Sequence, residues 1–288
     1  MDLLKIKEKS KGVYHFKINA NRFQIHYKVT NIKEGYYPHL GVTAREGLVL
    51  LYKHPQKELW ASIEAYHNSN LGYVNMSHML SDNISYEVLL YTPLLSDLEE
   101  LIIETDDEHH IEYIDDNDNP QILVCGGSTS FGMGCTTVSL MFSNILARKL
   151  VANITNVSFD DKDYIRRLRE CRITDSHNKY AVGIIELNEI DFDEKSSTYL
   201  KELINDLNSC CDITIGWYYL EEATAVCEEV LKEEVNNASI ILKDVSHILN
   251  DENRDMCSYG NGYINDSGNI LIFKELFSTI CEVTKWNI

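Results

Sequence analysis

From residue 121 onward, segments with the length and composition of strands alternate with segments of helical periodicity. The strand-like segments are QILVC (121–125), ITNVSF (154–159), YAVGIIEL (180–187), DITIGWYY (212–219) and SIILKDV (239–245). The helical stretches lie at 136–150, 196–209, 220–235 and 269–283. Strands that take turns with helices pair in parallel, through crossovers that cover both faces of a sheet. This order therefore predicts an α/β domain built on a parallel sheet.

The part of the chain before residue 119 follows a different pattern. Short alternating segments, rich in aromatic and β-branched residues, are separated by Gly, Asn, Asp or Pro, and none sustains a helical period. They lie at 14–18, 22–29, 48–54, 59–67, 86–95 and 98–106. All 4 prolines precede residue 121 and all 8 cysteines follow it. We predict an all-β sandwich or jelly-roll-like domain over 1–118 and an α/β domain over 119–288.

The chain is strongly acidic, with a formal net charge of -19. Phosphate backbones and anionic lipid repel such a surface, so we predict neither a nucleic-acid partner nor a membrane partner. No apolar run approaches the roughly 18 residues that span a bilayer, and the amino terminus has no signal-peptide pattern. The cysteines form no CxxC pair, which is typical of reduced thiols. We therefore expect a cytoplasmic protein.

A glycine-rich turn, GGSTSFGMGC (126–135), follows the first strand of the α/β domain. Ligands of open α/β sheets bind at such turns, beyond the carboxyl ends of the strands. A phosphate loop needs lysine where Met133 stands, and no glycine triplet fits the dinucleotide fingerprint. A nucleophile elbow of the G-x-S-x-G type needs glycine where Ser130 stands. These patterns therefore give no nucleotide site, and we expect no cofactor and no metal.

The same turn resembles the first sequence block of the SGNH (GDSL-like) hydrolases. GGSTSFG (126–132) follows that block with Ser128 at the position of the nucleophile, ILARKL (145–150) is similar to its helix, and NITNVSF (153–159) to its second strand. The resemblance runs over about residues 80–283 and is strongest over 121–160. It implies a flavodoxin-like sheet, and several members of the family carry a β-sandwich before the hydrolase domain.

The resemblance also implies a set of catalytic groups. Ser128 would attack an ester carbonyl, and its own N–H would donate to the oxyanion. The other oxyanion donors of the family fall on the backbone N–H near Asp160-Asp161, assigned to Asp161, and on the side chain of Asn188. The family's acid and histidine, D-x-x-H before the last helix, align with Gly260 and Tyr263. A tyrosine of ordinary pKa is a poor proton acceptor at neutral pH.

Another group must then take the proton of Ser128. The sequence Asp244-Val245-Ser246-His247 reproduces the D-x-x-H spacing directly after a predicted strand, so we predict His247 as the base, oriented by Asp244 or Asp251. His177 precedes a strand and is expected at the opposite edge of the sheet. A histidine of the β-domain, His39, His67, His109 or His110, is a further alternative.

Two functions remain open from the sequence. The first is an SGNH-type serine hydrolase, an esterase or acyltransferase acting on a small or carbohydrate O-acyl ester, with activity reduced by the altered last block. The second is a catalytically inactive pseudoenzyme that uses the same cleft to bind a ligand or a protein partner. Retention of Ser128 and Asn188 favours the first, and Tyr263 favours the second.

Overall fold

A computed structural model of the chain describes residues 3–6, 12–19, 22–31, 37–53, 55–56, 59–66, 74–79, 84–105, 110–115, 118–171, 178–188, 194–259 and 263–286. The chain divides into two compact units. The first is Met1–Asp116 together with Thr136–Ser139, and the second is Asn117–Cys135 together with Leu140–Ile288. Sequence reasoning drew its boundary between 118 and 119 and did not anticipate that a short segment after the glycine-rich turn belongs to the first unit.

The first unit contains two antiparallel sheets. Its described strands are β1 (Leu3–Ile6), β2 (Val13–Ile18), β3 (Arg22–Thr30), β4 (Leu48–Lys53), β5 (Trp60–Tyr66), β6 (Val74–Met79), β7 (Tyr86–Tyr91), β8 (Asp97–Thr105) and β9 (Ile111–Tyr113). One sheet has the order β1-β8-β3-β6 and the other β5-β4-β7-β2-β9. Alternate residues of β2, such as Phe16 and Ile18, pack with alternate residues of β3, such as Phe23 and Ile25. The β-sandwich expected for this region is confirmed.

The sandwich also contains elements that the periodicity did not indicate. Strands β1, β6 and β9 lay outside the predicted segments, and β9 is only 3 residues long. A short helix, α1 (Val42–Glu46), interrupts the strands, so the expectation of a region without helix was wrong there. Its 5 residues form barely more than one turn, which is too short to show a helical period in the sequence.

The second unit is built on a parallel sheet, as predicted. Its described strands are β10 (Gln121–Gly126), β11 (Asn153–Ser158), β12 (Tyr180–Glu186), β13 (Cys211–Tyr218) and β14 (Ile241–Asp244). They lie side by side in the order β11-β10-β12-β13-β14, and every pairing is parallel. The first strand of this sheet along the chain is β10, which lies inside the sheet. The next strand, β11, pairs on one side of β10, and β12 pairs on the other side. The reversal places a topological switch point beside β10.

Helices cover both faces of this sheet. They are α2 (Ser128–Phe131), α3 (Phe142–Leu150), α4 (Tyr164–Glu170), α5 (Glu194–Cys210), α6 (Glu221–Val230), α7 (Lys232–Asn236), α8 (Arg254–Cys257) and α9 (Asp266–Thr284). Because successive strand residues point to opposite faces, Leu123 of β10 packs in the cluster with α4 and α5, whereas Val124 packs with α3 and α9. The result is the three-layer, flavodoxin-like arrangement that the sequence predicted.

The helices differ from the predictions in several places, and the short helices α2 and α8 were not predicted. The stretch predicted as one helix over 136–150 begins with a 3-10 turn, Val138–Leu140, and becomes α-helical only at Phe142. The stretch predicted over 220–235 breaks at Leu231 into α6 and α7. Helix α4, with the sequence YIRRLRE, was not predicted, since its 7 residues give less than two helical repeats. None of the helices described is long and apolar enough to cross a membrane.

Candidate functional site

The turn from β10 into α2 is formed by residues 126–135, called here the glycine loop. A Cβ at Gly126 would overlap the Ser130 hydroxyl, and a Cβ at Gly134 would overlap the carbonyl oxygen of Ile264. Gly132 and Gly134 have φ values of 99° and 100°, which residues with a side chain rarely adopt. Glycines are therefore required both by close packing and by backbone conformation, and the loop presents Ser128 at the first residue of α2.

Ser128 is partly exposed and contacts a carboxylate. Its Oγ donates a hydrogen bond to Oδ1 of Asp160 at 2.9 Å. Asp160 is exposed and lies two residues beyond the end of β11, the neighbour of β10 in the sheet. Within the described part of the chain, the Asp160 carboxylate has no basic partner and the N–H of Ser128 has no acceptor. The hydroxyl and the N–H of Ser128 and the carboxylate of Asp160 thus lie at one place.

Asp161, the predicted oxyanion donor, has other partners. Its N–H donates to the carbonyl oxygen of Phe159 at 2.9 Å. Its carboxylate accepts from the N–H of Asp163 at 3.0 Å and pairs with Arg167 at 3.4 Å. The resemblance placed the donor near Asp160-Asp161, and in the structure it is Asp160 that contacts Ser128. The catalytic role assigned to Asp161 stays a prediction.

A buried carboxylate that sequence reasoning missed holds the glycine loop. Glu186, the last residue of β12, is only 2% exposed. Its Oε2 accepts hydrogen bonds from the N–H groups of Gly127, at 3.1 Å, and Ser130, at 2.8 Å. These N–H groups flank Ser128 in the chain, so Glu186 fixes the backbone on both sides of the hydroxyl. The signal in the sequence was a lone acidic residue at the end of a strand that is otherwise apolar.

Asn188 lies beside Glu186 and is 1% exposed. Its Oδ1 accepts from the N–H groups of Tyr219, at 2.8 Å, and Leu220, at 3.3 Å. Because an amide nitrogen cannot accept from a backbone N–H, these bonds fix which end of the amide is which. The Nδ2 therefore faces Glu186, with Oε1 at 3.4 Å. One of its two hydrogens makes this bond, and the other has no acceptor among the residues that the structure describes. The oxyanion role predicted for Asn188 stays a prediction.

His247, the predicted base, lies at the far end of the same sheet. It is in a 3-10 turn, Ser246–Leu249, that follows the edge strand β14. Three strand spacings, about 14 Å, separate β14 from β10. The Nε2 of His247 is 3.6 Å from Oε1 of Glu275 on α9, and Oδ1 of Asp244 accepts from the N–H of Ser246 at 2.7 Å. The structure does not bring His247 or Asp244 to Ser128.

The last sequence block does return to the glycine loop. The carbonyl of Ile264 packs against Gly134, and the side chain of Asn269 accepts from the N–H of Phe142 at 3.0 Å. Tyr263, the positional equivalent of the family histidine, is half-buried, and its carbonyl accepts from the N–H of Tyr259 at 3.0 Å. Gly260, two of the alternative histidines (His67 and His109) and His177, which was expected at the opposite edge, lie outside the described residues. His39 and His110 belong to the first unit.

The thiol of Cys135, the last residue of the glycine loop, is buried. Burial raises the pKa of the Cys135 thiol well above its ordinary value, and the nearby negative charge of Asp266 raises it further. Cys135 is therefore a neutral packing group and not an activated thiol. No cluster of three or more His, Cys, Asp or Glu side chains suited to a metal ion occurs among the described residues.

Comparison with known proteins gives structural matches only. No family model matches the chain, and no curated protein matches it. A protein from Bacteroides ovatus ATCC 8483 assigned as a GDSL-like lipase superposes with a TM-score of 0.73, at 17% identity over 96% of this chain and 85% of its own. The salicylyl-acyltransferase SsfX3 of a tetracycline biosynthetic pathway gives 0.63, at 12% identity over 93% and 82%.

A family two carbohydrate esterase from Cellvibrio japonicus gives a TM-score of 0.61, at 10% identity over 99% of this chain and 92% of that one. At such identities the matches establish the architecture and leave the chemistry to be argued from the residues. Each of the three superposes on more than nine-tenths of this chain, which includes the parallel sheet and the β-rich region before it. The chain therefore has the fold of the SGNH, or GDSL-like, hydrolases.

Proposed function

We propose that this protein is an SGNH-type ester-active enzyme, an esterase or acyltransferase, that acts on a small or carbohydrate O-acyl ester through Ser128. One observation carries the proposal. The Ser128 hydroxyl is partly exposed at the carboxyl end of β10, beside the topological switch point, and is hydrogen-bonded to a carboxylate. A serine in that place can approach an ester carbonyl that enters from solvent.

The chemistry would follow the two steps of acyl transfer. The Oγ of Ser128 attacks the ester carbon, the proton of the hydroxyl passes to a base, and the carbonyl π electrons move to oxygen. The N–H of Ser128 donates to that oxyanion, and the second N–H of the Asn188 amide is a further candidate donor. Each such donor contributes about 3 kcal/mol to stabilising the transition state. Collapse releases the alcohol, and water or a second alcohol then removes the acyl group from Ser128.

The substrate class rests on the structural neighbours. The three described above are a protein assigned as a lipase, an acyltransferase and a carbohydrate esterase, and transfer of an acyl group through an ester is common to these names. The strongly negative net charge of -19 favours a neutral or cationic substrate over an anionic one. An O-acylated sugar or a small acylated metabolite satisfies both conditions.

Two observations favour a second function, that of an inactive binding module. The histidine predicted as base pairs with Glu275 at the other end of the sheet, and Tyr263 stands where the family has its histidine. A serine without a base is a weak nucleophile at its ordinary pKa. In that case the surface beside Ser128 would serve to bind a ligand or a protein partner.

Reaction with a fluorophosphonate probe separates these functions. We expect the unmutated protein to be labelled and to hydrolyse short-chain aryl esters, and Ser128→Ala to lose both activities. The sequence-based assignment of His247 as base is tested in parallel by His247→Ala, with Asp244→Asn as its companion. If the unmutated protein neither reacts with the probe nor hydrolyses any aryl ester, the ester-active function is excluded and the binding module stands.

A further inference from the structure

We propose that Asp160 is the general base of Ser128, in the role that histidine has in other enzymes of this fold. This inference rests on the proposed function and adds to it the residue that accepts the proton. The observation behind it is the hydrogen bond of 2.9 Å from Oγ of Ser128 to Oδ1 of Asp160. A general base must lie within about 2.6–3.2 Å of the proton donor, and Asp160 meets that condition without any movement.

The position of Asp160 suits a base and not a structural anchor. Its side chain is exposed and makes no ion pair within the described residues, so its charge is not used to hold the fold together. The neighbouring carboxylate differs in this respect, because Asp161 pairs with Arg167 at 3.4 Å and accepts from the N–H of Asp163 at 3.0 Å. The glycine loop is anchored separately, by Glu186. Asp160 is thus the carboxylate that accepts the hydrogen bond of the Ser128 hydroxyl.

The electrostatics of the step are consistent with this role. A fixed negative charge beside an oxyanion would oppose its formation. When Asp160 accepts the Ser128 proton, however, its carboxylate becomes a neutral carboxylic acid while the negative charge develops on the substrate oxygen. The charge is transferred from one oxygen to another, and no second negative charge is created. The conflict between a carboxylate and an oxyanion therefore disappears at the moment of reaction.

The proton and electron balance closes over the cycle. The Oγ–C bond forms as the O–H bond of Ser128 breaks, and the proton goes to Oδ1 of Asp160. When the tetrahedral intermediate collapses, the C–O bond to the alcohol breaks and the departing oxygen takes that proton. A water molecule then gives its proton to Asp160 as it attacks the acyl carbon, and the proton returns to Oγ as the acid is released. A carboxylate is a weaker base than an imidazole, so this cycle is slower than one with histidine.

Two substitutions at Asp160 test the role. Asp160→Asn keeps an oxygen that accepts the Ser128 hydrogen bond but removes the basicity, and Asp160→Ala removes both. If Asp160 is the base, both variants label with the fluorophosphonate at least about 100-fold more slowly than the unmutated protein. Asp163→Asn is the matched control, because it removes the same charge from an exposed residue of the segment that joins β11 to α4 and also contains Asp160. Its labelling rate should be unchanged.

The outcomes are distinct. If Asp160→Asn labels at the normal rate while Asp160→Ala does not, Asp160 only orients the hydroxyl, and the base assignment is overturned. If Asp160→Asn labels at the normal rate or faster and Asp160→Ala does the same, Asp160 contributes nothing to the attack. In either case labelling that still depends on Ser128 leaves the ester-active function intact. If no protein is labelled at all, both the function and the base assignment fail.

Discussion

The carboxyl ends of β10 and β12 and the carboxyl end of β14 lie along the same edge of one sheet, yet they are built differently. The first region gathers Ser128, Glu186 and Asn188, two of which are almost fully buried and hydrogen-bonded to backbone N–H groups. The second region places His247 and Asp244 in largely exposed positions. A D-x-x-H pattern and a glycine-rich turn were both plausible signals in the sequence, and they fell at opposite ends of this edge.

The difference shows what a parallel sheet fixes and what it leaves open. Parallel strands bring all their carboxyl ends to one edge, which makes a shared site there plausible for any pair of strands. Lateral distance then decides which residues meet, since each strand spacing adds about 4.8 Å. The first region is where the backbone is held in place, because buried N–H groups of Gly127, Ser130 and Tyr219 are hydrogen-bonded to the side chains of Glu186 and Asn188. The following substitutions test whether the two regions differ as the structure indicates.

The largest effect is expected from Glu186→Ala at the first region. The substitution leaves the N–H groups of Gly127 and Ser130 buried without their acceptor, and each such group costs about 1–3 kcal/mol. We expect the free energy of unfolding, measured in urea, to fall by about 3 kcal/mol, and the labelling of Ser128 to fall with it. Glu186→Gln retains one acceptor oxygen and should lose less than the alanine variant. Equal losses would contradict the anchoring role.

Gly134→Ala should have the next largest effect. A Cβ at Gly134 would overlap the carbonyl of Ile264, and the φ of 100° is itself strained for alanine. We expect a loss of about 2 kcal/mol in the free energy of unfolding, because backbone must move to make room. Gly12→Ala is the control, since Gly12 has a φ of 148° but nothing within 4 Å of the added Cβ. If both substitutions cost the same, close packing at Gly134 does not matter.

The buried thiol of Cys135 predicts a dependence on alkaline pH. Burial, with the charge of Asp266, holds the pKa of Cys135 above that of the unfolded chain. The unfolded chain therefore loses the Cys135 proton first, at a pKa of roughly 8.5. Below that pH the contribution of the neutral buried thiol to stability is fully present, and above it the free energy of unfolding falls by about 1.4 kcal/mol per pH unit. Under reducing conditions, Cys135→Ala should lose less stability between pH 8.5 and 9.5 than the unmutated protein. Cys171→Ala, which removes an exposed thiol, should leave that loss unchanged.

The smallest effect is expected at the second region. The side chain of His247 is 47% exposed, and its pair with Glu275 at 3.6 Å is of the surface kind that contributes at most about 1 kcal/mol. We expect His247→Ala to change the free energy of unfolding by less than about 0.5 kcal/mol and the labelling of Ser128 by less than twofold. A large loss of labelling, with normal stability, would instead place His247 in the reaction and make the two regions one site.

Much of the fold could be predicted from the sequence, because buried faces of strands and helices require apolar residues at regular intervals along the chain. The alternation of residues in β2 and β3 indicated a sandwich, and the alternation of strand-like and helical segments after residue 121 indicated a parallel sheet. Elements shorter than about two helical turns, such as α1 and α4, left no usable period. The glycine loop was located correctly because its shape requires glycine at particular positions, and those glycines are visible in the sequence.

The site was only partly predictable, for a related reason. Its backbone support comes from Glu186, a residue 58 positions after Ser128, and its nearest carboxylate from Asp160, 32 positions after it. Neither spacing has a pattern, because the residues meet through strand pairing: β11 and β12 lie on either side of β10. Spacing within the chain, as in Asp244-Val245-Ser246-His247, is a weak guide to neighbours in a sheet whose order differs from the order in sequence.

The sequence by itself determined the two fold classes, the parallel sheet and the loop that presents Ser128, since each depends on local periodicity or on the backbone freedom of glycine. Only the tertiary structure decided which side chains stand next to that serine. It placed Asp160 at the hydroxyl, Glu186 under the loop and His247 at the far edge, because lateral strand order is set by packing over the whole domain. Local sequence patterns determine the helices and strands of this protein, and the order of its strands determines which side chains lie beside Ser128.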